Sequence, residues 1–298
     1  MERKLISLDW AIKHLLRDKA NFDILEGFLS ELLHQEITIV DILESESNKD
    51  RPFDKSNRVD LLAKDAQERL ILIEVQYEKE LDFFHRILYG YARLITQYLK
   101  QGESYGQIKK VITVSIVYFE LGMGEDYVYK GTTQFVGIHK KDILKLTRAQ
   151  QKLFQLSTVE EIFPENYMIR IGQFDEHQAV EDLFDEWVYF LKTGEIKDSF
   201  QAKNIRLAKE KLNILNLDEE ERRAYEAYLE NLRYERSLVE SALFEGMEKG
   251  MERGMEKGIE AGKLDAARKM LMDGLDMEQI VKYTGLSWET INELKCPK

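Results

Sequence analysis

The chain has 298 residues, 44% apolar and 33% charged, with three Pro and a formal net charge of −12. That length and apolar fraction supply a core for one large or two modest domains. The single cysteine, Cys296, excludes internal disulfides and thiolate metal clusters, and no apolar run is long enough to span a membrane, so a reducing cytoplasm is the expected setting. The acidity is uneven: residues 1–150 hold 22 Lys+Arg against 24 Asp+Glu, whereas residues 151–298 hold 21 against 31. Net charge therefore does not exclude a nucleic-acid partner for the N-terminal half.

In chain order, "SLDWAIKHLLRDKANFDILEGFLSELL" has apolar residues at helical spacing and predicts one or two helices. "EITIVDILES" (36–45) reads as a strand, and the polar stretch 46–57 as a loop. "RVDLLAKDAQERLILIEVQ" (58–76) then reads as a hairpin around a turn at 65–68. Residues 80–102 form a long amphipathic helix closing on glycine, and "KKVITVSIVYFEL" (109–121) is the clearest buried strand. Further β pattern lies at 127–138 and 167–174. The order of helix, three strands, helix and strand predicts α/β architecture, a central sheet covered by helices.

Beyond residue 175 the pattern turns helical. The expected organisation is a core at 1–174, a helical accessory region at 175–245, a Gly-Met-Glu-Lys/Arg repeat at 246–262 and a helix-turn-helix-like unit at 263–298. The repeat spaces Gly246, Gly250, Gly254, Gly258 and Gly262 four residues apart, so each stripe drifts about 40° per repeat around a helix. Two readings stand for it: homodimerisation through the glycine stripe, or a spacer. In the last unit Asp276 and Gln279 suit a capping box and Ser287 an N-cap. Its candidate recognition helix carries two acids and one nearby base, Lys295, so a partner-binding role competes with DNA targeting.

The hairpin poses the chemical question. An antiparallel register setting Asp60 opposite Glu74 puts both acids on one face with Arg58 and Gln76, while Val59, Leu61, Ala63, Ile71, Ile73 and Val75 turn to the other. Opposed like charges destabilise a sheet, so the pair calls for a compensating cation. A divalent metal held by one or two carboxylates and keeping waters answers that need. A solvent-facing ion pair with Arg58 is the competing reading. The five histidines (14, 34, 85, 139, 177) lack ligand spacing, and no phosphate-binding glycine loop or serine elbow occurs. Tyr89, Tyr91 and Tyr98 either stack on bases or pack against the sheet.

Asp60 followed on the next strand by Glu74-Val75-Gln76 resembles the PD-(D/E)XK nuclease signature, with Val59 in place of its proline and Gln76 in the lysine position. "LDWAIKHLL" is similar to the D-x-x-F-K helix start of the recombination-promoting nuclease and putative transposase family, with Asp9 and Lys13 matching and Ile12 replacing Phe. "RILYGYARLITQYLKQGESYGQIKKVITVSIV" resembles that family's long helix, loop and buried strand. The resemblance implies a restriction-endonuclease-like mixed sheet flanked by helices, with a C-terminal all-helical region. It implies a Mg²⁺-dependent DNA endonuclease, Mn²⁺ substituting, with Asp60 and Glu74 as metal ligands and Gln76 as the third motif residue. Asp9 is a further acidic candidate. Since Gln76 cannot carry lysine's charge, Lys13, Arg58 or Lys64 is expected to supply it. A catalytically inactive DNA- or protein-binding scaffold is the alternative.

Overall fold

The computed structural model describes residues 5–7, 10–11, 16, 18–43, 59–77, 79–99, 101–177, 180–214 and 217–295, without the side chains of residues 59, 60, 235, 236 and 295. The expected loop at 46–57 and the helix start carrying Asp9 and Lys13 lie outside the described residues, as do Arg58 and Cys296. The chain divides into two compact units, residues 1–222 and 223–298.

The first unit is built on one six-stranded mixed sheet: β1 (Ile39–Leu43), β2 (Val59–Asp65), β3 (Leu70–Gln76), β4 (Val111–Val117), β5 (Val128–Gly131) and β6 (Glu165–Arg170). Their order is β1-β2-β3-β4-β6-β5. The pairs β1/β2, β2/β3 and β5/β6 are antiparallel, whereas β3/β4 and β4/β6 are parallel. β4 is buried at every residue and reads as a near-continuous apolar run, as a parallel strand covered on both faces does. This open mixed sheet flanked by helices is consistent with a restriction-endonuclease-like fold, as the resemblance implies.

The hairpin turn is made by Asp65. Its Oδ1 accepts the amides of Gln67 (3.0 Å) and Arg69 (2.9 Å), its Oδ2 receives Arg69 Nε at 2.6 Å, and Glu68 takes φ +63°. That arrangement fixes the β2/β3 register locally.

The sheet's two faces differ in what covers them. Helix α1 (Phe22–Leu33) and α4 (Leu183–Thr193) pack together through Phe28, which meets Phe184 and Trp187 at ring separations of 5.9 and 6.0 Å. Tyr118, just past β4, donates its hydroxyl to the Leu191 carbonyl of α4 (3.1 Å), tying that layer to one face. α4 starts on an Asp182/Asp185 capping box and ends on Gly194 at φ +74°. The short α5 (Ile205–Lys211) closes against α1, where an added Cβ on Gly27 would fall 2.3 Å from the Lys203 carbonyl oxygen. The opposite face is covered by α2 (Phe83–Tyr98), whose Leu94 packs with Leu62, Leu70 and Val111, and whose Phe83 packs with Val117 and Leu121. A further short helix, α3 (Arg148–Phe154), follows β5, opened by a Thr147/Gln150 capping box.

β5 is shorter than the β pattern of residues 127–138 suggests: pairing with β6 ends at Gly131, and only an isolated bridge, Val136 to Ile143, follows. Strand β6 likewise gives way after Arg170 to a 3₁₀ turn, Ile171–Gln173.

In the second unit, α6 (Glu219–Met272) runs without interruption through the glycine repeat. An added Cβ at Gly246, Gly250, Gly254, Gly258 or Gly262 would meet nothing within 4 Å. Helices α7 (Met277–Thr284) and α8 (Trp288–Lys295) turn around Gly285 at φ +67°, and Ile280 and Ile291 bury against Ala267. Asp276 accepts the Gln279 amide (2.8 Å), the N-cap half of the expected capping box, and Ser287 accepts that of Thr290 (3.2 Å) as the expected N-cap.

Candidate active site

The register of β2 and β3 is the one the alternation predicts: Asp60 stands opposite Glu74, and Leu62 opposite Leu72. Across β4 the same row continues with Ser115, while Gln76 stands beside Val117. Glu74 and Gln76 thus sit on the face covered by α2, at the carboxyl end of β3, and both are buried, Gln76 to 1% exposure. Apolar neighbours on both sides make water a poor partner there, so a buried carboxylate needs a specific cation.

The compensating cation is Arg86, in the first turn of α2 and 12 residues beyond Glu74. Its Nη2 pairs with Glu74 Oε1, and its Nη1 with Glu80 Oε2 at 2.6 Å. Both Nη atoms lie 3.5 Å from Gln76 Oε1, and Gln76 Nε2 lies 3.5 Å from Glu80 Oε1. Those three contacts are at the limit of hydrogen bonding and act mainly by charge and dipole. The guanidinium rests over the Phe83 ring, 5.0 Å from its centroid. The helix wheel explains the placement: Phe83, Gly90 and Leu94 face the sheet, and Arg86 leaves the helix on the flank toward β3.

Lys64 belongs to the other end of the hairpin. It pairs in register with Leu70, four residues short of Glu74 and so about 13 Å from it along the strand. Its ammonium is engaged by Glu68 at 3.2 Å, which holds the Glu68 carboxyl below the usual carboxylate range. Lys64 is therefore not brought to Glu74. Asp9, Lys13 and Arg58 lie outside the described residues, and of Asp60 only the backbone position is described. Among the tyrosines, Tyr91 and Tyr98 pack against the Leu62/Leu94 cluster, whereas Tyr89 is exposed.

Arg86 and Glu80 are the residues that motif reading misses. The signal was the need for a cation beside the acid pair. Nothing local to the hairpin points to the helix that supplies it.

Among the described residues, no group of three or more His, Cys, Asp or Glu is placed to hold a metal ion. The donor set on this face nevertheless suits a hard divalent cation. Register sets the Asp60 backbone opposite Glu74, and Glu74 and Glu80 both contact Arg86. All candidate donors are oxygens, the type Mg²⁺ takes.

An open mixed sheet, with an acid-bearing hairpin at its centre and a Glu-x-Gln strand packed under a long helix, defines a protein of the PD-(D/E)XK nuclease class. Residues 6–242 match the profile of the PD-(D/E)XK nuclease family transposases, and the chain belongs to that family. No curated protein and no solved structure matches it. No described helix is long and apolar enough to cross a membrane.

Proposed function

We propose that the chain is a metal-dependent DNA endonuclease of the transposase-associated type, hydrolysing phosphodiester bonds. The observation that carries this is the registered Asp60/Glu74 pair with Gln76 and Arg86 gathered around it. Asp60 and Glu74 would hold Mg²⁺, or Mn²⁺ in its place. When bound, the ion polarises a phosphate oxygen and lowers the pKa of a coordinated water.

The chain's own residues do the rest. Arg86 holds a fixed positive charge at the position where lysine is usual and glutamine stands here. In a site with little water, such a preorganised cation stabilises charge that develops on a phosphate. Gln76, with its carbonyl toward Arg86 and its amide toward Glu80, orients the guanidinium. Glu80 holds Arg86 from the side away from Glu74, so that the arginine keeps its place when Glu74 is otherwise engaged.

The test is incubation of the purified chain with plasmid DNA and Mg²⁺ or Mn²⁺, beside Asp60→Ala. Cutting that requires both the ion and Asp60 supports the proposal; equal cutting by the two proteins, or none with either ion, overturns it.

One observation favours a second reading, a non-catalytic DNA- or protein-binding scaffold: Glu74 already has a cation in Arg86. That reading expects DNA retention by Asp60→Ala without cleavage by either protein. The exposed row Met247, Met251, Met255 and Ile259 on α6 supports a homodimer through the C-terminal helices. Sedimentation of the full chain as a monomer at micromolar concentration would remove that part.

A further inference from the structure

A cavity of about 380 Å³ opens on the flank of α2 opposite Arg86. Phe84, Leu88 and Tyr91 of the helix form one wall, and Tyr129, Asn166 and Arg170 of β5 and β6 the other. The second wall belongs to the face that carries Glu74. Glu74, Ser115, Met168 and Tyr129 form one continuous row across β3, β4, β6 and β5. β6 is two strands from β3, so the cavity and Glu74 are roughly 10 Å apart on one surface.

Arg170 is the informative residue. It is 4% exposed, yet among the described residues no carboxylate pairs with it. Its Nη1 donates to the carbonyls of Gly124 (3.1 Å) and Asp126 (3.3 Å), its Cζ lies 5.8 Å from the Tyr129 ring centroid, and its buried Nε has no hydrogen-bond partner. A buried guanidinium with an unused donor is costly unless an anion completes it.

The surroundings say what kind of anion. Tyr129 is 37% exposed and its ring is held in one orientation, because its hydroxyl accepts the Asp126 amide at 3.1 Å. The loop can close that tightly only because residue 124 is glycine: a Cβ there would lie 2.1 Å from the hydroxyl. Phe84, 52% exposed, offers a second aromatic surface. Asn166 Oδ1 accepts from Thr113 Oγ1 at 2.6 Å, which sets the amide and leaves Nδ2 as a donor. Fixed aromatic faces, an oriented amide and an incompletely partnered guanidinium are the elements that recognise a base joined to a phosphate. The volume lies in the range of small-ligand sites.

We propose that this cavity receives one unstacked nucleotide of the DNA strand, its base against Tyr129 and Phe84 and its phosphate on Arg170. The proposal rests on the DNA-substrate reading above and adds a recognition site to it. A nucleotide drawn in here would hold the strand across α2, beside the acid pair.

The full chain in EDTA is titrated into a fluorescein-labelled single-stranded oligonucleotide, and a second oligonucleotide carrying 5-iodouracil is cross-linked and mapped by mass spectrometry. Tyr129→Ala is expected to weaken binding about tenfold, in line with loss of one stacked base, and adducts are expected on Tyr129, Phe84 or Tyr91. Arg170→Gln is expected to weaken it further and to flatten the salt dependence. Thermal melts establish that each variant is folded, and Tyr129→Phe, which keeps the stacking ring but loses the hydroxyl that accepts the Asp126 amide, should recover most of the binding that Tyr129→Ala loses. Unchanged affinity in folded Tyr129→Ala, or adducts confined to other segments, overturns the proposal. DNA bound but never at the cavity sinks this inference alone, whereas no DNA bound by the wild type sinks the DNA reading as well. Cleavage is not read in this assay, so a failed Asp60→Ala comparison leaves its result standing.

Discussion

Replacing Arg86 with methionine removes the guanidinium while keeping much of the apolar stem. Glu74 and Arg86 have side chains 11% and 16% exposed, so the variant leaves a nearly buried carboxylate without its cation. Breaking a buried pair in this way costs about 3–5 kcal/mol. Glu80, the other partner, is 20% exposed and recovers some solvent, which places the expectation near the lower end, about 3 kcal/mol. For a unit of this size that corresponds to a fall in melting temperature of roughly 6–12 °C. If the acids form a divalent-ion site, Mg²⁺ at millimolar concentration returns part of that loss, because the ion supplies the missing positive charge to the folded state alone. The wild type should gain less, since there the ion competes with Arg86 for Glu74. Scanning calorimetry of both proteins, with and without Mg²⁺, reads all four values. The double variant Glu74→Gln/Arg86→Met should be more stable than Arg86→Met, with a coupling that identifies the pair. Melting of Arg86→Met within about 1 °C of the wild type, or equal stabilisation of both by Mg²⁺, would refute the reasoning.

Other substitutions test the same structure at separate points. Gln76→Lys, which restores the usual motif residue, sets an ammonium beside Arg86 in a site of 1% exposure, and is expected to destabilise by about 2 kcal/mol in urea denaturation without raising cleavage. An unchanged or higher denaturation midpoint would mean that Arg86 does not fill the lysine role. Gly27→Ala drives a Cβ against the Lys203 backbone oxygen and should cost about 1–3 kcal/mol by the same assay, whereas a neutral result would deny the tight α1/α5 approach. Tyr127 donates its hydroxyl to buried Asp185, and burial followed by that bond raises its pKa well above the ordinary tyrosine value. The unfolded chain loses this proton from about pH 10 while the folded one keeps it, so the stability the group contributes is fully present below pH 10 and is lost as the pH rises above it. Between about pH 9 and 11 the wild-type midpoint should therefore fall more steeply than that of Tyr127→Phe, and parallel curves would contradict the assignment.

Much of the site's scaffold was legible in the chain. A hairpin turning at 65–68 sets a register in which Asp60 meets Glu74 while Leu61, Ile71 and Ile73 share the other face, and that is the pairing found. The caps at Asp276 and Ser287 were equally readable, being contacts between residues three apart. The reach of β5 was less so. Residues 127–138 have strand-like composition, but the β6 segment that β5 pairs with begins at Glu165, which the register sets opposite Thr132, so residues 133–138 find no partner in β6. Lys64 was a candidate cation by proximity in sequence, and the strand's length carries it away from Glu74.

The sequence by itself determined the periodic features: which residues alternate, where helices begin and stop, and that two acids share a face. Those follow from geometry repeated over a few residues, so each segment carries its own evidence. Tertiary structure alone decided which element covers that face, and hence that among the described residues Arg86 rather than Lys64 meets Glu74. It also decided that Arg170 ends β6 beside Tyr129 with no carboxylate to answer it among the described residues. Both outcomes depend on the parallel pairing of β3, β4 and β6 and on the packing of α2 over them, contacts between segments far apart in the chain. Local periodicity fixes the face a side chain takes, but only packing brings to that face the charge it meets.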